Sequence, residues 1–459
     1  MSITETSPAP VDLDTKVPLS LNQEFLCVFD QGDTQGPFGP RYHIVHGWRV
    51  RGAVDLDALR GALDDVVARH ESLRTSMVRG DGERYQTVFP PSSPELELRD
   101  LSGVEPAARG ARIEELLIEV EAGEFSVNEL PHLRAVLGRF DDRDAVLVLV
   151  AHHTATDGWS MRLIIRDLAA RYAARTGHAG HDLPPARQYR EFAVWQREAF
   201  VDPAQGPARA YWREKLSGGQ TFAMPTDRPR SVAAGLPPTT AMYRFEIGAE
   251  LITPALKMAR VMRGSPFMVL LAAFNVAVHR MTGATDVAVP TFTPGRGGEL
   301  FQDTVGSFFN FLPLRTDIAG CRTYRDVANR TRATCIEGYA HDVPQILAEA
   351  PEFMMPAMQD NLAPAVFQVF PYPFLLDGDR IGDLEYSEVR RRLVSQQLAS
   401  DIPDGGLWTL NLDTTGDVIG AVAYKSALFD EGTIREWVTQ FRTALHTLVT
   451  APDAEVDLT

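Results

Sequence analysis

Cysteine is scarce in this chain of 459 residues, where it occurs three times, as Cys27, Cys321 and Cys335. Cysteines so few and so widely spaced exclude a zinc ribbon, an iron–sulfur cluster and a disulfide framework. A chain of this length can bury a large hydrophobic core, so it needs no such staples for stability. We expect the thiols to stay reduced, which is typical of a cytoplasmic protein.

The chain also has fewer basic than acidic side chains. The chain has 45 Lys and Arg against 61 Asp and Glu, which gives a formal net charge of -16. Phosphate backbones and anionic membrane surfaces repel such a chain. We therefore expect no nucleic acid and no membrane among its partners.

Two motifs of common enzyme classes are missing from the sequence. There is no Gly-rich phosphate loop followed by Lys and Ser or Thr, so we expect no activation of a substrate with ATP. There is also no G-x-S-x-G nucleophile elbow, which excludes a serine hydrolase of that type.

Long hydrophobic runs are missing as well. The longest strongly apolar helical run, Pro266 to Val278, is followed by His279 and Arg280 and is too short to cross a bilayer. The first residues lack the basic and apolar regions of a secretory signal, so we expect no leader. Residues 1–17 are rich in Pro, Ser and Thr and predict a flexible lead-in.

Strand and helix patterns alternate along the chain, which is typical of layered α/β proteins. Residues 145–151 form a continuous apolar run that predicts a strand buried on both faces. Periodicity further predicts a strand at 42–50, helices from Asp55 and over 161–172, a helix at 267–280 with Ser265 as N-cap, a strand at 286–290 and a last helix over 431–450.

The length favours about two structural units. The Gly- and Pro-rich stretch 176–185 is the best candidate for their boundary, and residues 224–230 are typical of an extended connector. We therefore predict an N-terminal unit over residues 18–179 and a C-terminal unit over residues 180–459.

The strongest local signal follows the strand predicted at 145–151 and runs His152-His153-Thr-Ala-Thr-Asp157-Gly158-Trp159-Ser160. The end of a strand directly before a helix is where ligands usually approach a sheet. Adjacent strand residues point to opposite faces, so one histidine should face a cleft while the other packs inward. An imidazole, with a pKa of about 6.5, can take a proton from a nucleophile at neutral pH. Asp157 could orient a histidine, or pair with an arginine and hold the loop in shape.

The pattern His-His-x-x-x-Asp-Gly resembles the active-site signature of the condensation-domain superfamily, which includes the condensation domains of nonribosomal peptide synthetases. Other segments resemble further motifs of this family, in the right order from about residue 18 to 450. They are Pro18–Gln23, Arg69–Thr75, Tyr189–Trp195, Tyr211-Trp212 with Pro225–Pro229, Val305–Arg315, His341–Pro344 and Val366–Val369. The sequence departs from the family pattern at Asn22, at Phe25 or its neighbour, and at Gln345, where alanine, arginine and an aromatic residue are more usual.

The resemblance implies an α/β (α+β) fold of two chloramphenicol-acetyltransferase-like lobes, arranged as a V-shaped pseudo-dimer with a central tunnel. A thioester on the phosphopantetheine arm of a carrier protein would enter from one side, and the acceptor from the other. By resemblance His153 is the catalytic histidine, as general base or as the group that positions the acceptor. His152 stands beside it in the catalytic motif.

The remaining roles also follow from the resemblance. The backbone N–H of Gly158 could face the developing oxyanion. Asp157 is structural and pairs with Arg296, with a substrate clamp as the alternative for that arginine. Asn310 either donates a hydrogen bond in the substrate tunnel or satisfies a strand end. Trp159 and Ser160, which follow the motif, are placed along the same tunnel.

No metal and no permanently bound cofactor is expected, since the carrier arm is the donor. The chain has no adenylation module and no Gly-Gly-x-Ser-like attachment site, so an acyl-loaded peptidyl carrier protein and a small-molecule acceptor would both arrive in trans. Both motif histidines are present, unlike in heterocyclising relatives. Arg390–Arg392 could contact an acidic carrier protein, although such a run is more often a solvated face.

The free-standing form of the condensation unit is similar to the ester-forming enzymes of enediyne biosynthesis. This likeness favours ester formation, with an amine acceptor left open. Two alternatives remain: an acyl-CoA-dependent O-acyltransferase, and a non-catalytic member that only docks carrier proteins. The intact motif argues against the second of these.

Overall fold

The structure is a computed structural model that describes residues 16–80, 82–179, 182–296, 299–371, 376–413 and 416–458. Most of the lead-in predicted over residues 1–17 lies outside these ranges. Its last residue, Val17, is described and begins a short strand.

The strands and helices are numbered in chain order. The strands are β1 (Val17–Pro18), β2 (His43–Arg51), β3 (Thr75–Val78), β4 (Tyr85–Val88), β5 (Glu95–Asp100), β6 (Leu133–Asp141), β7 (Asp144–His152), β8 (Ala223–Pro225), β9 (Thr240–Ile247), β10 (Asp286–Thr293), β11 (Asn310–Asp317), β12 (Leu362–Pro371), β13 (Asp379–Ile381), β14 (Leu384–Glu388), β15 (Gly406–Leu412) and β16 (Val418–Lys425). The helices are α1 (Leu21–Cys27), α2 (Leu56–Arg69), α3 (Arg109–Glu121), α4 (Gly158–Arg175), α5 (Tyr189–Val201), α6 (Gly206–Leu216), α7 (Arg230–Ala233), α8 (Ala249–Val261), α9 (Pro266–Thr282), α10 (Tyr324–Ala340) and α11 (Glu431–Thr450).

The first sheet has the strand order β13-β14-β2-β7-β6-β5. Strand β7 lies between β2 and β6, antiparallel to both, and all of its residues are buried. Apolar side chains of α2 and α4 pack on one face of the sheet, and those of α3 pack on the other. The prediction of a strand buried on both faces is therefore confirmed, because helices cover this sheet from two sides.

The second sheet has the order β8-β12-β15-β16-β9, in which β12 and β15 are parallel and the other pairs antiparallel. Helix α9 lies in the core of this half, and α8 and α11 pack beside it. Strands β10 and β11 form a separate antiparallel pair. The predicted α/β layering is confirmed, with mixed sheets. Among the described residues no single helix can span a membrane by length and apolarity, although α8 and α9, bent by 111°, pass that test as a pair.

The chain crosses from one half to the other late in the sequence. Strand β14 pairs with the free edge of β2, with Glu385 opposite Arg51 and Glu388 opposite Trp48. A strand edge presents unpaired backbone groups that another segment can satisfy without any special side chain. The predicted division at residues 179 and 180 stays a prediction, and strands β13 and β14 lie in the first sheet although they come after that division.

The elements predicted from periodicity are present in the structure, with ends shifted by a few residues. Helix α9 begins after Ser265, whose side chain caps it by accepting from the N–H of Met268. Residues 224–230 are a partial exception. They begin as the end of β8, which pairs with β12, and finish at Arg230 in α7. The neighbouring strand supplies hydrogen bonds to a segment that would otherwise be a plain connector.

Candidate active site

The motif residues occupy the connection between β7, which ends at His152, and α4, which begins at Gly158. Hydrogen bonds that involve backbone groups hold the loop at both ends. The N–H of His153 donates to the carbonyl of Tyr42 at 2.9 Å. Asp157 is the N-cap of α4, and its Oδ1 accepts from the N–H of Ser160 at 2.6 Å. A loop fixed in this way presents its side chains in one arrangement.

The imidazole of His153 is half-buried and has a defined tautomer. Its Nδ1 lies 2.8 Å from the carbonyl oxygen of Thr156. Because a carbonyl can only accept, Nδ1 carries the proton and Nε2 is left with a lone pair. Burial lowers the pKa of His153, although the Thr156 carbonyl and Asp157 act in the opposite direction. The ring is therefore neutral at pH 7 and able to accept a proton at Nε2.

His152 is placed differently from its neighbour. Its side chain is fully buried, with Nδ1 at 2.7 Å from Thr154 Oγ1 and Nε2 at 3.2 Å from the carbonyl oxygen of Gly39. The Gly39 carbonyl accepts from Nε2–H, so Nδ1 accepts from the Thr154 hydroxyl, and both ring nitrogens are engaged. These contacts hold the end of β7 and give the His152 ring a structural role, and the catalytic role predicted for His152 stays a prediction.

Two further histidines lie behind His152, and the sequence analysis did not find them. His43 faces His152 across the β2–β7 pair, and the ring of His132 lies 5.7 Å from that of His152. Burial lowers the pKa of all three, and that of His132 falls to about 4. No local pattern marks these residues, since they meet only when the first sheet forms.

Asp157 and Arg296 form the ion pair that the resemblance predicted. Arg296 Nη2 lies 2.8 Å from each carboxylate oxygen, and Nη1 donates to the carbonyls of Phe301 and Thr304 at 3.0 and 2.7 Å. The guanidinium also lies over the Phe308 ring at 4.1 Å. Arg296 is 4% exposed. With both Nη atoms engaged by the protein, the substrate-clamp alternative loses its support.

The three residues after Asp157 have separate environments. Gly158 is the first residue of α4, where a backbone N–H has no intrahelical acceptor. Trp159 is partly exposed, and its Nε1–H donates to the Gln302 carbonyl at 2.9 Å. Ser160 is fully buried, and its Oγ donates to the Gly306 carbonyl at 2.9 Å and accepts from the Gly306 N–H at 3.0 Å. The Ser160 hydroxyl therefore joins two loops, and the tunnel position predicted for this residue stays a prediction.

Asn310 is the first residue of β11. Its amide nitrogen donates to Asp342 Oδ1 at 2.5 Å and to the carbonyl of Val343 at 2.9 Å. These contacts correspond to the second of the two predicted roles, in which the amide satisfies a strand end.

The outer motifs have structural contacts. Buried Asp167 accepts from Arg69 at 2.7 Å, His70 at 2.9 Å and Arg166 at 2.8 Å. Burial raises the pKa of Asp167, but His70 and Arg166 outweigh it, and the net value is about 2. Arg69 and His70, the first residues of the motif at 69–75, therefore have structural contacts.

Arg390–Arg392 lie in ion pairs within the chain. Arg390 pairs with Asp377 and Arg392 with Asp417, each at 2.7 Å, while Arg391 pairs with buried Glu121. Burial raises the pKa of Glu121, but Arg391 and Arg244 outweigh it, and the net value is about 2. The run is thus a set of internal pairs that joins segments distant in sequence.

No group of three or more His, Cys, Asp or Glu side chains that could hold a metal ion occurs among the described residues. The three cysteines are buried and form no disulfide.

Comparison with known proteins gives the family. The sequence pattern of the Condensation domain matches residues 14–458. One of the linear gramicidin synthase subunits of Brevibacillus parabrevis is 31% identical over 452 residues, which are 96% of this chain and 8% of that protein. Phosphinothricin tripeptide synthetase PhsC of Streptomyces viridochromogenes is 33% identical over 437 residues, or 93% of this chain and 38% of that protein. The chain thus spans a small part of these relatives.

Solved structures agree with the sequence match. The SgcC5 protein of Streptomyces globisporus superposes with a TM-score of 0.91 and 47% identity, covering 95% of this chain and 100% of that one. The condensation domain of the Monacolin K polyketide synthase MokA has the same fold, with a TM-score of 0.77, 21% identity and coverage of 96% and 99%. The fold, the motif loop and the match over nearly the whole sequence agree: the chain belongs to the condensation-domain family, and this membership implies a transferase.

Proposed function

We propose that this protein transfers an acyl or aminoacyl group from the phosphopantetheine thioester of a carrier protein to a small-molecule acceptor in natural-product biosynthesis, with ester formation favoured. The observation that carries the proposal is the tautomer of His153. Its Nδ1–H donates to the Thr156 carbonyl at 2.8 Å, which leaves Nε2 free to act as a base.

The proposed reaction begins at the acceptor hydroxyl. His153 Nε2 takes the hydroxyl proton while the oxygen bonds to the thioester carbonyl carbon. The tetrahedral intermediate then expels the pantetheine sulfur as the C–S bond breaks, and the imidazolium returns its proton to that sulfur. The products are an ester and a free pantetheine thiol, and His153 is neutral again.

The negative charge that forms on the oxygen of the tetrahedral intermediate requires a hydrogen-bond donor near the motif loop. Gly158 begins α4, and its N–H is one of the groups that a helix leaves without an internal acceptor. The cap formed by Asp157 uses the N–H of Ser160 instead, so the Gly158 N–H is not consumed by the capping bond. The positive end of the α4 dipole favours an oxyanion at the same place.

Two of the comparisons bear on the substrates. SgcC5 was crystallised with (R)-(-)-1-(2-naphthyl)-1,2-ethanediol, an aromatic diol. At 47% identity, this alcohol supports a hydroxyl acceptor for this chain as well. We further infer that the reaction takes place in the cytoplasm. We also infer that it is an ester-forming condensation similar to those of enediyne biosynthesis. The starter condensation domain of rhizomide synthetase, 16% identical, was crystallised with C8-CoA, so the donor must be tested directly.

The test supplies each of a panel of aminoacyl groups twice, on a carrier protein and on CoA. The acceptors are 1-(2-naphthyl)-1,2-ethanediol and its 2-amino analogue, and mass spectrometry measures the products. We expect the ester to form from the carrier-bound donor at least about tenfold faster than from CoA, since the carrier adds binding energy. Equal or faster use of CoA would overturn the proposal in favour of an acyl-CoA-dependent enzyme. Product from neither donor would favour a carrier-docking protein.

A further inference from the structure

We propose that Tyr42 is a positioning residue for His153, whose imidazole it holds in plane by stacking. The inference depends on the proposed function, which makes His153 the base. It concerns a residue outside the motif, from a segment that the sequence marks only as a strand.

The contact between the two residues is direct. Their rings stack with centroids 4.9 Å apart and an angle of 18° between the planes. The Tyr42 carbonyl also accepts the N–H of His153 at 2.9 Å. Tyr42 therefore holds both the backbone and the side chain of the histidine.

Tyr42 is itself well fixed. It is 6% exposed and packs in a cluster with Leu19, Leu26, Cys27, Phe38 and Val127. It lies directly before β2, whose first residue, His43, pairs with His152. The tyrosine ring is thus anchored to the same sheet that carries the motif, so it can act as a rigid support.

The stack supplies what the other contacts of His153 do not. The bond from Nδ1 to the Thr156 carbonyl fixes one edge of the imidazole but allows rotation about that bond. A stacked ring with its centroid 4.9 Å away and its plane at 18° restricts this rotation and so directs Nε2. When Nε2 gains a proton, the imidazolium lies over the electron-rich face of tyrosine, which is a favourable cation–π arrangement.

The titratable groups around His153 act on it in different ways. On its own loop, Asp157 is paired with Arg296. His152 lies next to it, and His132 and His43 lie behind; burial lowers the pKa of each of these three. Burial and nearby Asp401 raise the pKa of Tyr42 above its usual range, so the phenol stays neutral. Stacking on this neutral ring stabilises the imidazolium form of His153, so it opposes the lowering of the His153 pKa by burial.

The test replaces Tyr42 with Leu and with Phe. We expect Tyr42→Leu to lower kcat roughly tenfold with KM nearly unchanged, and to shift the acidic limb of the kcat profile to lower pH. Tyr42→Phe keeps the ring face and should restore most of the rate and the position of that limb.

Phe38→Leu is the matched control. Phe38 is fully buried in the same cluster as Tyr42, but the charged group over its ring is the Arg79 guanidinium, 3.8 Å from the ring centroid, and not His153. We expect it to lower stability as Tyr42→Leu does without moving the pH profile. NMR of the imidazole provides a readout without turnover. The His153 signal, assigned by its loss in His153→Ala, should titrate at lower pH in Tyr42→Leu and near the wild-type value in Phe38→Leu.

The outcomes separate the two proposals. If His153→Ala retained wild-type turnover, the proposed function itself would fail. If His153→Ala were inactive while Tyr42→Leu kept kcat and the pH limb, the positioning role alone would be wrong. An equal pH shift in Phe38→Leu would also overturn it, because loosening of the cluster would then explain the effect.

Discussion

The two sheets carry the same connection at corresponding places. In the first sheet β7 ends at His152 and α4 begins at Gly158; in the second, β16 ends at Lys425 and α11 begins at Glu431. Each strand lies between two antiparallel neighbours, and each following helix has an aspartate as N-cap. We call residues 153–157 the first loop and residues 426–430 the second loop.

The two loops differ in what holds them. The second loop is anchored by Ala427, Leu428 and Phe429, which are buried in the apolar core. Its N-cap, Asp430, pairs with Arg228 but is 65% exposed. The first loop instead places a half-buried imidazole at its start and ends at Asp157, which pairs with buried Arg296. An apolar anchor suffices for folding, whereas a loop that presents a base needs polar groups to fix it.

The largest difference between the loops should be seen when the first residue of each is replaced by alanine. We expect His153→Ala to lower the turnover number about 10²–10⁴-fold, the usual contribution of a general base. Ser426→Ala removes only the hydrogen bonds of a half-buried hydroxyl to Thr239 and should leave turnover within about twofold, because Ser426 is not part of the motif loop. Single-turnover acyl transfer measures both. A similar loss in the two variants would mean that the first loop has no special chemistry.

The two N-cap aspartates give the next comparison. Asp157→Asn leaves the buried Arg296 without a counter-charge and should lower the free energy of unfolding by about 3–5 kcal/mol. Asp430→Asn weakens an exposed pair and should cost less than about 1 kcal/mol. Urea unfolding at neutral pH checks both, and equal losses would contradict a structural role particular to Asp157.

Acid should destabilise the region behind the first loop. Burial lowers the pKa of His132 to about 4, below its usual value, so the unfolded chain binds this proton more readily. Above a pH of about 6.5 the residue contributes nothing to the pH dependence. As pH falls from there toward about 4, the wild type should lose on the order of 3 kcal/mol through this group.

His132→Gln tests this expectation. The variant should be less stable at pH 7, because glutamine fits the site less well, yet its stability should fall less steeply between pH 6.5 and 4. Glu121 and Asp167, whose pKa values fall from 4.5 and 3.8 to about 2 on folding, lose their stabilisation mainly below a pH of about 4.5 and do so equally in both proteins, so they do not affect the difference between the slopes. Equal slopes in the wild type and the variant would refute the assignment to His132.

The sequence predicted what depends on neighbouring residues. The helix predicted from Asp55 is α2, whose buried face consists of Leu59, Ala62, Leu63, Val66 and Val67. The motif loop, its preceding strand and the Asp157–Arg296 pair were also predicted, the last by resemblance. The helix, the strand and the motif loop rest on periodicity or on a short pattern, which local sequence carries. The Asp157–Arg296 pair joins residues 139 positions apart and was predicted only because the family resemblance supplied it.

What could not be predicted depends on contacts between distant segments. Nothing near β14 indicates that it pairs with β2, and nothing near Glu121 indicates that it meets Arg391, 270 residues later. The motif singled out His153 by resemblance, but it did not show that both nitrogens of His152 are engaged within the protein, because these partners are set by the fold. The ring of Tyr42 reaches His153 for the same reason. Such pairings follow from the packing of whole sheets, which a single sequence does not reveal.

The last comparison concerns two glycines with positive φ, Gly295 directly before Arg296 and Gly416 in the β15–β16 connection of the second sheet. Gly416, near the β15–β16 turn, has φ +88°, and a Cβ there would meet only Ala249 Cβ at 4.0 Å. Gly295 precedes Arg296, has φ +60°, and a Cβ there would lie 2.9 Å from the backbone C and O of Phe309. Gly416→Ala should therefore cost about 1 kcal/mol of backbone strain. Gly295→Ala should cost more and also lower turnover, because the displaced backbone carries Arg296 away from Asp157; equal costs with unchanged turnover would show that this backbone yields freely.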